Sequence, residues 1–500
     1  MNDNLIAQIL AVAEVAGGES FLTEAGKPVL AYADLDRETG RMAAQLRALG
    51  AQVGDRVVVQ VEKSPEAVVL YLAALRAGLV FVPLNTAYTA AELEYFIGDA
   101  EPALVVCRPA DAGTVAGVAG AAKVVTLGDD GAGSLLADLP DQPLPVAERG
   151  GDDLAAILYT SGTTGRSKGA MLSHGNLLSN ALTLKDLWRW RADDVLIHIL
   201  PIYHVHGLFV ALHGALLAGA EVLFHRGFDP DAVIADFARG TVLMGVPTHY
   251  TRLTCHPRLT PAACAHMRLF ISGSAPLLAE AHKRFEEGSG SRILERYGMT
   301  ETGMITSNPY DGARVAGTVG YPLPGVEVRI HDDAGVAVAP GEPGVLQVRG
   351  PNVFKGYWRN PEKTREEFRE GGWFVTGDVA TQEADGRVTL VGRAKDLIIA
   401  GGLNIYPKEI EEAIDALPGV AESAVIGVAH PDMGEGVVAV VARVPGAAVD
   451  EAGVLAGIAG KLARFKQPRR VIVVDALPRN AMGKVQKAAL RAHYGGLFTA

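Results

Sequence analysis

From Gly54 onward the chain alternates short apolar runs with longer segments of helical period. "DRVVVQV" (55–61) reads as a buried strand, and "SPEAVVLYLAALRAG" (64–78) as a helix with Ser64 as N-cap and Pro65 in the first turn. "LVFVPL" (79–84) is again a strand, "TAAELEYFIGDA" (89–100) a helix and "ALVVC" (103–107) a strand. Short links between such units predict parallel pairing and an α/β layer. The rhythm restarts at Asp194 with "DVLIHIL", "GLFVALHGALLAG", "AEVLFH", "DPDAVIADFARG" and "TVLMGVP", which predicts a second α/β lobe. The Gly-, Pro- and Asp-rich stretch 128–153 reads as the connection between the lobes.

After Val315 the period changes. Residues 317–350 show short alternating runs between Gly and Pro turns, the pattern of antiparallel β. The last hundred residues change again. "YPKEIEEAIDAL" (406–417) places Ile410, Ile414 and Leu417 on one helix face; "SAVIGV", "VVAVVARV" and "RVIVVDALP" read as strands, and 450–465 as a helix. This predicts a compact α+β domain that begins near "GRAKDLI" (392–398).

Composition changes little in this picture. Half the residues are hydrophobic, a fifth are charged and the net charge is -11, which argues against a phosphate-backbone binder. Three cysteines (Cys107, Cys255 and Cys264) without metal-ligand spacing read as reduced thiols of a cytoplasmic protein. The start of the chain lacks a basic leader, and no apolar run reaches a membrane span.

Four stretches carry candidate chemistry. "YTSGTTGRSKGA" (159–170) lies between the strand "LAAILY" and the helix "NLLSNALTLKDL". Its glycines let backbone N–H groups converge on an anion, the hydroxyls of Ser161, Thr163 and Thr164 add donors, and Lys168 adds charge. It is not a P-loop of the G-x-x-x-x-G-K-[ST] type. "ERYGMTETG" (295–303) sets Glu301 among hydroxyls, which suits a Mg²⁺ that bridges nucleotide phosphates. "GGWFVTGDVA" offers Asp378 to a ribose diol, and "LPRNAMGKVQK" offers Lys484 on a loop. Each stretch taken alone also fits a plainer role: a polar loop, a helix start, a turn aspartate, a solvated lysine.

In this order and spacing, "YTSGTTGRSKG", "YGMTE", "TGD", "GRAKDLI" and "PRNAMGK" resemble the acyl-adenylate-forming superfamily over nearly the whole chain. The resemblance implies a two-domain adenylate-forming fold. A large N-terminal domain (1–394) would hold two α/β lobes and a small β-rich lobe. A small mobile α+β domain (395–500) would follow. It implies an ATP site of Thr160, Ser161, Gly162, Thr163, Thr164, Gly165 and Lys168, with Ser274, Ala275 and Pro276 of "ISGSAPL" and with Glu295, Arg296, Tyr297, Gly298, Met299 and Thr300. Glu301 would bind Mg²⁺, Asp378 and Arg393 the ribose, and Lys484 the α-phosphate and the reacting carboxylate. Lys395 would be the hinge whose rotation withdraws Lys484 and presents "GGLNIYP", with Gly401 and Gly402, to coenzyme A. Arg464 and Lys466 are candidates for the phosphates of coenzyme A, the acceptor favoured because no carrier domain follows residue 490.

The acid is read from "LPIYHVHGL" and "VPTHYTRL". A pocket for a fatty acid should be apolar, whereas Arg252 and His206 point to an acyl group with its own anion. "LPIYHVHGLF", "VLMGVPTHYTRL", "ERYGMTETGM" and "GPNVFKGYWR" resemble bacterial malonyl-CoA synthetases. That implies Arg252 on the distal carboxylate, helped by His206, Ser274 and Met304, and His206 among the catalytic groups with Lys484 and Glu301. Methylmalonate would also fit, since one methyl is worth about 1–3 kcal/mol of discrimination. The competing expectations are a ligase for another short or aryl acid, and a non-catalytic nucleotide-binding protein. An exposed Lys484 would also be a target for a lysine acetyltransferase, because acetylation removes its charge.

Overall fold

The computed structural model describes residues 2–160, 167–332, 334–400, 403–431, 433–459, 461–462, 464–480 and 484–498. The chain divides into two compact units. One comprises Met1–Leu277, Ala281–Glu327 and Val348–Phe374; the other comprises Leu278–Glu280, Val328–Gln347 and Val375–Ala500.

Two sheets build the first unit. One runs in the order Lys123–Thr126, Leu104–Cys107, Arg56–Gln60, Val80–Pro83, Leu154–Thr160 and Lys168–Ser173. All its neighbours are parallel except the last pair. The other has a parallel centre, Leu294–Met299, Leu269–Ser272, Val242–Gly245, Val195–His198, Glu221–Phe224 and Ser20–Glu24 in spatial order, with antiparallel strands at both edges. The valine- and leucine-rich runs seen in the sequence are the central strands. Val57, Val58, Leu104, Val106, Leu196, Val242 and Leu243 are fully or almost fully buried, as parallel strands covered on both faces require.

The helix at Pro65–Arg76 starts where its cap predicts. Ser64 Oγ accepts the Ala67 N–H at 3.1 Å, with Pro65 at the first position. No regular element lies between Thr126 and Leu154, as expected of a connection. Beyond the glycine-rich motif the order of elements differs from expectation. A strand, Lys168–Ser173, precedes the helix His174–Leu187 and pairs antiparallel with Leu154–Thr160. "KGAMLS" has no β-branched residue, so its strand conformation comes from pairing rather than propensity.

One buried ion pair ties the parallel sheet. Asp194, with a fully buried side chain, takes two hydrogen bonds from Arg268 at 2.6 and 2.5 Å. It takes others from Thr241 Oγ1 at 2.8 Å and the Arg191 N–H at 2.9 Å. Asp194→Ala leaves the guanidinium without its partner and is expected to cost about 3–5 kcal/mol, read as a lower urea midpoint at unchanged slope.

In the second unit, Trp373–Gln382 runs in from the first and pairs antiparallel with Val388–Arg393, which sets Asp378 opposite Arg393. The C-terminal sheet orders Leu403–Ile405, Ile398–Ala400, Gly434–Arg443 and Val420–His430, with Arg470–Val474 parallel to Gly434–Arg443. Alternate residues of the long pair serve two cores. Val425, Val437, Ala439 and Val441 pack with Ile410, Ile414, Val454 and Ile458; Ala424, Ile426, Val428, Val438 and Val440 pack with Leu477 and Leu490. The predicted face Ile410, Ile414, Leu417 is the one that packs. Among the described residues, no helix is long and apolar enough to cross a membrane.

Candidate active site

Thr160 ends its strand directly opposite Lys168; Ser161, Gly162, Thr163, Thr164 and Gly165 lie outside the described residues. The Lys168 ammonium stands 3.3 Å from Glu367 Oε1 and 4.6 Å above the Tyr357 ring. Tyr357 joins this group to Glu301. Its hydroxyl lies 2.6 Å from Glu367 Oε2 and 3.1 Å from Glu301 Oε1. Burial and the two carboxylates push the phenol well above its ordinary range, so it keeps its proton. A phenol has one proton to donate, and the shorter contact assigns it to Glu367. Glu301 places a buried carboxylate beside this hydroxyl. That suits a hard divalent cation. Mg²⁺ is held by one or two carboxylates together with substrate phosphates rather than by a protein cage, and among the described residues no cluster of three acidic, His or Cys side chains forms such a cage.

The strand Leu294–Met299 carries Glu295, Arg296, Tyr297 and Gly298 and leads through Thr300 to Glu301. Gly298 is required there, because a Cβ would stand 2.1 Å from the Gly303 carbonyl oxygen and 2.7 Å from Met304 Cε. Met304 is buried; its N–H donates to Asn180 Oδ1 at 3.0 Å and its carbonyl accepts from Asn180 and Asn352 at 2.9 and 3.1 Å. Glu295 Oε1 accepts the Leu277 N–H at 3.3 Å, on the loop that holds Ala275 and Pro276.

His206 and Ser274 come together. Ser274 Oγ lies 3.2 Å from His206 Nδ1, and Ser274 has φ 71°, a left-handed conformation that a serine holds only under constraint. His206 opens a π-helix, His206–Ala211. Burial, then the Arg296 guanidinium and neighbouring histidines, hold His206 far below the ordinary histidine range. It is neutral, and its Nε2 is buried without a hydrogen-bond partner. Arg252 sits apart from this pair. It is exposed on the helix Pro247–Thr254, its guanidinium 5.1 Å from the Phe228 ring, which stacks on His249 at 4.4 Å. Among the described residues, no hydrogen bond or ion pair joins Arg252 to His206 or Ser274.

In the second unit Arg393 Nε pairs with Asp378 Oδ1 at 2.7 Å, and the Asp378 N–H donates to Thr376 Oγ1 at 3.1 Å after Gly377 with φ 71°. Lys395 sits in the turn Ala394–Asp396, and its neighbour Asp396 pairs with Arg491 at 2.5 Å. Lys484 closes a turn that Asn480 holds by both backbone and side chain, at 2.9 and 3.0 Å. Lys466 is engaged by Glu409, 2.7 Å from each oxygen, and Arg464 is exposed. Gly401 and Gly402 lie outside the described residues.

This arrangement has relatives. The family model "AMP-binding enzyme" matches residues 13–358, and "AMP-binding enzyme C-terminal domain" matches 409–484. The chain belongs to the AMP-binding enzyme family. Within it the chain is an acyl-CoA ligase, on the two-domain adenylate-forming fold that the motifs implied. The crystal structure of ATP-bound MatB from Rhodopseudomonas palustris is 57% identical, with a TM-score of 0.97 and 100% of both chains covered. A feruloyl-CoA synthase from an Amycolatopsis species is 38% identical, covering 94% of this chain and 95% of its own. A mitochondrial malonate–CoA ligase from Mus musculus is 37% identical, covering 89% and 83%.

Several side chains that shape this AMP-binding enzyme's site carry no motif of their own. The Lys63 ammonium is buried 2.8 Å from His198 Nδ1 and 2.9 Å from the His198 carbonyl. His198 Nε2 lies 3.0 Å from the Gly207 carbonyl. A carbonyl only accepts, so Nε2 carries the proton and Nδ1 accepts from Lys63. Lys63 thereby holds the turn that begins at His206. Sequence reasoning also missed Tyr357 and Glu367. They are ten positions apart and meet only because the helix Pro361–Glu367 folds back.

Proposed function

We propose that this acyl-CoA ligase is an ATP-dependent malonate–CoA ligase. One malonate carboxylate oxygen attacks the α-phosphorus of ATP. The bond to the β-phosphate oxygen breaks, and pyrophosphate leaves with the electron pair. The coenzyme A sulfur, as thiolate, then attacks the acyl carbon of malonyl-adenylate, and the C–O bond to AMP breaks. Positioning and charge supply most of the rate enhancement.

The observation that carries the reading is the neutral His206, hydrogen-bonded to Ser274 and buried with its Nε2 unpartnered. With Nδ1 accepting from the Ser274 hydroxyl, the Nε2–H would serve a second carboxylate, which a fatty or aryl acid lacks. The malonate–CoA ligase relatives support the same assignment. Arg252, on a helix whose His249 adds to the field at His206, would reach that carboxylate from the exposed side. Glu301 would hold Mg²⁺, which when bound neutralises phosphate charge. Lys168 has Glu367 as its resting partner and lies directly after the glycine-rich motif, where the β- and γ-phosphates would sit. Asp378 would take the ribose hydroxyls, and Arg464 and Lys466 the coenzyme A phosphates. We also propose that the protein works in the cytoplasm and that acetylation of Lys484 would switch it off.

Pyrophosphate release with ATP, Mg²⁺ and coenzyme A, across malonate, methylmalonate, acetate, butyrate and benzoate, tests the assignment. Malonate is expected to lead. Arg252→Ala is expected to lower kcat/KM for malonate by about 10- to 100-fold, the loss of one charge-assisted hydrogen bond, and to leave butyrate unchanged. The exposure of Arg252 and the feruloyl-CoA synthase relatives favour an aryl-acid ligase as the second reading. A lead for benzoate would establish it and return Arg252 to the scaffold.

A further inference from the structure

The turn that carries Lys484 is tied down by charge on both sides. It ends a short hairpin. The Gln486 N–H donates to the Pro478 carbonyl at 2.8 Å, Arg479 bridges Val485, and the Asn480 N–H donates to the Lys484 carbonyl at 2.9 Å. Leu477 before the hairpin and Leu490 after it are buried in one core. Those contacts hold the legs against the sheet, but apolar contact is non-directional and leaves the tilt of the hairpin to other groups.

Two ion pairs supply the direction. Arg479, on the first leg, pairs with Glu422 of the strand Val420–His430. Glu422 falls in the same alternation as Ala424, Ile426 and Val428, which is the face that receives Leu477 and Leu490. Lys487 follows the second leg and opens the helix Lys487–Tyr494; it pairs at 2.6 Å with Glu411 of the helix Pro407–Asp415. Glu411 is fixed in turn, because its Oε1 also accepts the Val425 N–H at 2.7 Å. A third carboxyl, Asp415, belongs to the same group. Burial, then Glu411 and Glu422, push it up to about 8. Near neutral pH it is largely protonated and leaves the two cations to the two glutamates. The four paired side chains keep 16 to 30% of their surface exposed. Ion pairs so placed add little to stability, and two of them on one small hairpin point to placement rather than folding. Lys484 lies between the two tethers.

We propose that Glu411 and Glu422 are positioning residues for the adenylation step, which hold the hairpin through Lys487 and Arg479 and so aim the Lys484 side chain. This rests on the assignment of Lys484 to that step and names what orients it. Loss of an anchor leaves the ammonium chemically intact but free to shift, and a displacement of about 1 Å is enough to cost about 10²-fold in a step that depends on position.

The test uses Glu411→Gln, Glu422→Gln and the double variant in the full-length protein, with Lys484→Ala beside them. Glutamine keeps an acceptor for the Val425 N–H and removes the charge that binds the cation. The acid is the one that leads in the pyrophosphate assay, which frees the test from the malonate reading. ATP–pyrophosphate exchange is expected to fall about tenfold in each single variant and about 100-fold in the double. Thioester formation from the preformed adenylate, the KM for ATP and Tm are expected to match the wild type. Reversal of one pair, Glu422→Arg with Arg479→Glu, is expected to recover most of the exchange that either change alone loses. In a Lys484→Ala background, Glu422→Gln is expected to have no further effect, because the group that it aims is gone. If Lys484→Ala abolishes exchange and both glutamine variants keep it, the anchors fall while the Lys484 assignment stands. If Lys484→Ala keeps exchange, the assignment falls and the anchors with it. An equal loss in both half-reactions with a lower Tm, or failure of both single variants to fold, makes the glutamates scaffold. An additional loss in the Lys484→Ala background shows that they act elsewhere.

Discussion

Lys484→Ala is expected to slow malonate-dependent ATP–pyrophosphate exchange by about 10²- to 10³-fold, the usual effect of removing a positioned donor to developing charge. The turn around Lys484 is held by backbone groups and by the Asn480 side chain. The Lys484 N–H donates to Asn480 Oδ1, the Asn480 N–H donates to the Lys484 carbonyl, and Arg479 bridges to Val485. Alanine keeps all three, so the far-ultraviolet spectrum and Tm should match the wild type. The two steps are then separated by supplying preformed malonyl-adenylate. If Lys484 serves only the first step, thioester formation from the adenylate should proceed at the wild-type rate. A loss of exchange below about tenfold would remove Lys484 from the chemistry.

The second large effect is expected at Glu301. Glu301→Gln preserves size and leaves the Phe354 N–H on the Glu301 carbonyl at 2.8 Å, yet it removes the carboxylate charge. A loss of about 10²- to 10³-fold in pyrophosphate release is expected. Activity alone does not show the cause, so Mn²⁺ is titrated into enzyme with ATP and followed by electron paramagnetic resonance. Weaker Mn²⁺ binding in Glu301→Gln, with ATP binding in the absence of metal unchanged, places the defect at the cation. Equal Mn²⁺ affinity in both proteins would show that Glu301 acts otherwise.

Legibility in the sequence tracks how locally each signal is determined. The parallel strands announced themselves because both faces are buried and every position is apolar, as in Val57–Val59 and Leu104–Val106. The helix at Pro65–Arg76 announced itself through its cap. The strand Lys168–Ser173 did not, since its conformation depends on a partner that the local composition does not reveal. The motifs single out Glu301, Asp378 and Lys484 as candidates, but the setting of Glu301 comes from a distant segment. Tyr357 reaches Glu301 across 56 positions and Lys63 reaches His198 across 135. Nor does a strand reading of "LERYGM" tell that Arg296 is buried, because a charged residue in a strand ordinarily faces water.

The long strand pair of the second unit, Val420–His430 with Gly434–Arg443, gives each face its own core. Such a pair has a reading frame of two. Insertion or deletion of one residue within either strand would exchange the two sets of side chains beyond that point and ruin both cores at once. A change of two residues would restore the alternation. Over evolutionary time this part of the chain is therefore free to drift by substitution but closed to odd-numbered length changes, and natural length variation should gather at the ends of these strands.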